Sequence, residues 1–75
     1  MKQFIGLSLE FDADIEFNDA LDELESWLQD DNAQYYIAPD DYESCVLFID
    51  ASYFKQVKID LEDTFNELGI YYTVL

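Results

Sequence analysis

No histidine occurs in this chain, and Lys2, Lys55 and Lys58 are its only basic residues against 18 acids. The first absence excludes imidazole acid–base catalysis and His-liganded metal centres. The second leaves a net charge of −15, which repels nucleic acid and anionic membrane and makes a basic protein surface the natural complement. Cys45 is the single cysteine, so no intrachain disulfide can form. Within the apolar run Cys45-Val46-Leu47-Phe48-Ile49 it reads as a buried, inert thiol. A basic segment followed by a long apolar one is also missing. Neither a signal peptide nor a transmembrane helix is therefore expected, and the expected compartment is the cytoplasm.

What is present is apolar enough to fold. Hydrophobic residues make up 51% of the 75 residues and aromatics 17%, whereas a disordered acidic tail would carry few aromatics. A chain this short forms one domain at most and buries only about 60% of its unfolded surface. Solubility of a small domain needs a net charge of only about 2–8, so the charge calls for a further explanation.

The hydropathy pattern predicts six elements. Over residues 3–11, Ile5, Leu7, Leu9 and Phe11 alternate with Phe4, Gly6, Ser8 and Glu10, the period of a strand with one buried face. An acidic turn follows. A helix is predicted over 18–30, capped by Asn18, with Phe17, Leu21, Leu24 and Leu28 on its apolar stripe and Ala20 and Trp27 widening it. Strands are predicted over 33–38 and 44–50, joined by a Pro39-Asp40-Asp41 turn. A second helix over 52–68 repeats Phe54, Val57, Leu61, Phe65 and Leu68, with Gly69 at its left-handed stop. Residues 70–75 alternate as a last strand. The order β-α-β-β-α-β implies an α+β, ferredoxin-like fold: a four-stranded antiparallel sheet, first and third strands central, with two helices on one face.

No catalytic or metal constellation stands out. Asp12-x-Asp14-x-Glu16-x-Asn18, with Glu23 at the twelfth position, has the outline of a calcium loop. Phe17, however, stands where the sharp turn demands glycine, and Asp19 where an apolar residue belongs. It reads as a solvated acidic turn. Acid pairs such as Asp22/Glu23 and Asp40/Asp41 need a pocket that raises one pKa before they do acid–base work, and helix backs and turns offer none. The expectation is no enzyme, no cofactor and no metal. Phe4, Phe48 and Tyr71 are candidates for the open side of the sheet, where exposed aromatics mark a protein interface, including a homodimer formed sheet to sheet. Several tyrosines are expected at core edges with the hydroxyl in water.

Half of the acid lies between Asp12 and Asp31, with no base among it. Carboxylates at i, i+3 and i+4 on a helix are about 5–6 Å apart, so a helix and its flanking turns present rows of negative charge as a nucleic-acid backbone does. In size, in charge and in the rows Asp19/Asp22/Glu23/Asp30 and Asp60/Asp63/Glu67, the chain resembles the small acidic DNA-mimic inhibitors of phages and mobile elements, the anti-restriction and anti-CRISPR proteins among them. That resemblance implies carboxylates occupying, in place of phosphates, the basic groove of a nucleic-acid-binding protein or nuclease. The expected contact residues are Asp12, Asp14, Glu16, Asp19, Asp22, Glu23, Asp30, Asp31, Asp40 and Asp41. Alternatives are an immunity or antitoxin protein capping a basic toxin, and a dimerisation module from a halophile. Like-charge crowding carries its own prediction. Melting temperature should rise from very low to about 0.1 M salt, where screening acts within about 10 Å; a flat or falling curve would show that the carboxylates are not crowded.

Overall fold

Alternation of Leu7, Leu9 and Phe11 with outward residues produces β1 (Phe4–Phe11), in which those three are buried. The remaining elements are α1 (Phe17–Asp30), β2 (Tyr35–Asp41), β3 (Ser44–Asp50), α2 (Ala51–Leu68) and β4 (Ile70–Val74). The computed structural model describes residues 3–41 and 44–75, with side chains described for all of these except 39–41. The strands form one antiparallel sheet in the order β2-β3-β1-β4, so β1 and β3 are central as expected. This is the ferredoxin-like β-α-β-β-α-β arrangement.

Register decides which side chains meet. Leu7 pairs with Leu47, Leu9 with Cys45 and Tyr72, and Phe11 with Ile70, which puts these residues on one face. On that face Ala20, Leu24 and Leu28 of α1 and Phe54, Leu61 and Phe65 of α2 complete a single core. All the described buried residues are apolar. The predicted stripes of both helices are thus the buried ones, with Phe17, Leu21, Trp27, Val57 and Leu68 half-buried at their edges. Gly69 adopts φ 72°, closing α2 in the left-handed region. A β-carbon there would also meet Ile15 Cγ1 at 2.6 Å, so the turn after α2 is packed directly against the turn before α1.

Several boundaries differ from expectation by one to three residues, two of them with an evident physical cause. Helix α1 begins at Phe17, and its cap is Glu16 rather than Asn18: Glu16 has extended backbone and its Oε2 accepts from the Asp19 amide at 2.9 Å. Phe17 is drawn into the first turn because its ring packs on Phe11, centroids 4.6 Å apart. Pro39-Asp40-Asp41 is not a turn but the end of β2, paired with Cys45 and Ser44 across an irregularity between Pro39 and Asp41. An edge strand tolerates proline because its missing amide can face outward, and a bulge absorbs the register shift.

Leu47 lies at the centre of this core and is fully buried. Leu47→Ala should cost about 2–5 kcal/mol, read by denaturant unfolding. A loss near zero would place the core elsewhere.

Candidate functional site: the acidic helix layer

Two turns hold the acids that precede α1. Asp12 Oδ1 accepts from the Asp14 amide at 3.0 Å, while its own amide donates to the Gly69 carbonyl at 2.9 Å. Its Oδ2 receives the Tyr71 hydroxyl at 3.4 Å. Asp12 is therefore half-buried and tied into the fold, and Glu16 is engaged as the helix cap. Asp14, Asp19, Asp22, Glu23 and Asp30 are exposed. Asp31 is also exposed and accepts from the Tyr53 hydroxyl at 2.8 Å. Asp40 and Asp41 belong to β2, and their side chains lie outside the described residues.

Because α1 and α2 run in opposite directions over the sheet, the start of one meets the end of the other. At one end Asp14, Glu16, Asp19 and Glu23 are joined by Glu67 around an open hollow of about 310 Å³, floored by Ile15, Ala20 and Leu68. At the other end Asp30 and Asp31 face Asp60 across a hollow of about 300 Å³ that also contains Trp27 and Val57. Each hollow combines carboxylates with an apolar floor. That combination suits a Lys or Arg side chain, whose stem lies on apolar surface while its head meets charge. Among the described residues no cluster of three or more metal-ligating side chains is arranged to hold an ion.

Glu67 and Asp60 were not among the expected contact residues. The available signal was topological: antiparallel helices bring Glu67, one residue before Leu68-Gly69, beside the first turn of α1. Asp30, Asp31 and Glu67 share another property. They lie at helix C-termini, where the macrodipole disfavours negative charge by about 0.3–1 kcal/mol each, and no basic residue occupies either last turn.

Besides Tyr71, three further tyrosines border the helix layer with hydroxyls that donate to carboxylates rather than simply facing water. Tyr35 donates to Glu25 Oε1 at 3.1 Å and receives Gln29 Nε2 at 2.9 Å. Tyr53 donates to Asp31 and Tyr72 to Glu62. Burial, together with the Asp31 carboxylate, pushes the Tyr53 phenol well above its ordinary value. Hydrogen bonding to Glu62 is the main cause of the upward shift at Tyr72.

No protein-family model, curated protein or solved structure matches this chain.

The tyrosine shifts have a pH consequence. A phenol whose pKa is raised by folding adds stability that is complete below the unfolded value near 10 and is lost as pH climbs toward the folded one. In an alkaline titration followed by tyrosinate absorbance, Tyr53 and Tyr72 should ionise above the ordinary phenol value, and unfolding should accompany them. Tyr53→Phe and Tyr72→Phe should each remove one late-titrating group. A high-pH end of the titration curve unchanged by either substitution, with the fold intact, would contradict the two hydrogen bonds.

Proposed function

We propose that the protein is a non-enzymatic inhibitor whose helix layer imitates a nucleic-acid backbone and occupies the basic groove of a nucleic-acid-binding protein or nuclease, in the manner of anti-restriction and anti-CRISPR proteins. The observation that carries this reading is the one-sidedness of the charge. Nine acids lie between Asp12 and Asp31, and Asp60, Glu62, Asp63 and Glu67 follow on α2. The exposed side of the sheet has Glu10 and, half-buried, Asp50 as its described carboxylates, with Asp12 at its edge on the Tyr71 hydroxyl. Charge acquired only for a saline cytoplasm has no reason to favour one face.

The density also fits. Helix α2 has 18 residues, so at 1.5 Å per residue the layer is about 27 Å long. Its acids then fall about one per 2–3 Å of length, against one per roughly 1.7 Å of duplex axis. A groove built for phosphates would meet nearly the charge it expects, with the two apolar-floored hollows receiving the stems of its basic side chains. The same surface would serve an immunity protein capping a basic toxin, so competition with nucleic acid is the discriminating property. The cytoplasm, where such enzymes meet their nucleic acids, is the compartment this reading implies.

The test is double charge reversal, Asp19→Lys with Glu23→Lys, at two exposed positions of the first hollow. Proteins captured from host lysate by the unmodified chain should be released by added DNA or RNA duplex, and capture should weaken steeply with salt. The variant should melt normally and lose at least about tenfold in affinity, the equivalent of about 1.4 kcal/mol. Undiminished capture by a normally folded variant would move the interface off the helix layer.

A further inference from the structure

The side of the sheet away from the helices has its own composition, and strand register shows its layout. One transverse row runs Tyr36, Phe48, Gly6, Leu75: Tyr36 pairs with Phe48, Phe48 with Gly6, and the Leu75 amide donates to the Gly6 carbonyl at 2.9 Å. The next row is Ala38, Val46, Ser8, Thr73, and Glu10 with Tyr71 begins the row after that. Phe4, Phe48 and Tyr71, expected on this side, are there; Tyr36 and Leu75 join them. Tyr36 and Phe48 stack, centroids 6.3 Å apart. Gly6 lets this row lie flat, since a β-carbon would meet Phe48 Cε1 at 3.3 Å and Leu75 Cδ1 at 3.4 Å.

We propose that this face pairs with a second copy of the chain, sheet against sheet, leaving both acidic helix layers outward. Area is the first argument. Phe4, Tyr36, Phe48, Tyr71 and Leu75 are 49%, 63%, 36%, 61% and 71% exposed. With about 150–250 Å² per aromatic side chain, they leave roughly 500 Å² of mainly apolar surface. Paired with itself and extended over Ala38, Val46, Ser8 and Thr73, the face reaches the approximately 1,200 Å² at which stable interfaces begin.

Charge is the second argument. A basic partner would find few carboxylates here, and those at the margins: Glu10 pairs with Tyr71 at one end, where Asp12 accepts the Tyr71 hydroxyl at 3.4 Å, and Asp50 is occupied in capping α2 through the Tyr53 amide at 3.3 Å. Nucleic acid would find no described base. What the centre of this face complements is another flat, aromatic and apolar surface, and its own copy supplies one by two-fold symmetry. Opposition of the two sheets also keeps the helix layers, where repulsion between copies is greatest, at the largest separation the pair allows.

This pairing is independent of the inhibitor reading, and salt separates the two. Between about 0.1 M and 1 M salt the Debye length falls from roughly 10 to 3 Å. Self-association of two highly negative copies should strengthen over that range by about tenfold or more, whereas binding of a basic partner weakens. Sedimentation equilibrium of the full chain should show a mass rising from 8.8 kDa toward twice that value with concentration and with salt. Phe48→Asp should hold it at the monomer mass, and the milder Tyr36→Ser, at the most exposed of the aromatics, should weaken association without changing the melting curve. Asp19→Lys with Glu23→Lys should leave it dimeric. A monomer at every salt and concentration would overturn the proposal. So would a dimer indifferent to both face substitutions, or a monomer that instead binds zwitterionic vesicles through this face.

Discussion

One contact holds this protein together: the inner face of the sheet against the apolar stripes of its two helices. Leu7, Leu9, Leu47 and Ile49 on one side, and Leu24, Leu28, Leu61 and Phe65 on the other, are all essentially inaccessible to water. In a chain of 75 residues that layer has to outweigh the mutual repulsion of a net charge of −15. It also decides where the charge can go. Each helix commits one side of its circumference to the core, and the rest carries most of the described carboxylates, with Lys55, Lys58 and Ile59 exposed among them on α2. Placing both helices on one face therefore concentrates negative potential on that side of the molecule.

The placement of individual acids argues that the concentration is more than solubility. Glu16 and Asp19 suit the N-terminus of α1, as capping and dipole rules require. Asp30, Asp31 and Glu67 do the opposite, at helix ends that disfavour them, and these residues line the hollows at the two ends of the inter-helix groove. Local rules broken at residues that line surface hollows are expected where a surface serves function rather than stability. Tyr53 secures Asp31 by a hydrogen bond, which gives that end of the layer a defined geometry.

Periodicity made most of the fold legible. The period of two in residues 4–11 and the three–four spacing of Leu21, Leu24 and Leu28 and of Phe54, Val57, Leu61 and Phe65 mark elements whose partners are set by burial alone. Where the sequence misleads, a tertiary contact overrides a local preference. Asn18 is a strong capping residue, yet the packing of Phe17 on Phe11 starts α1 earlier and hands the cap to Glu16. Pro39 signals a turn, but whether a proline ends a strand depends on the strand being at an edge, which only the assembled sheet decides. For the same reason Glu67 could not be assigned to the α1 hollow from its neighbours in sequence. Tyr36 likewise joins Phe48 only once the β2–β3 register is known.

The central claim is that the helix layer, and not the sheet, meets the basic partner. Carboxyl footprinting tests it directly: the chain alone and in complex with its captured partner is labelled with a carbodiimide-activated amine, and modification is read at each acid. The account predicts protection at Asp14, Asp19, Glu23, Asp30, Asp60 and Glu67, with Glu10 labelled equally in both states. Protection confined to Glu10, with the helix carboxylates still reactive in the complex, would contradict it.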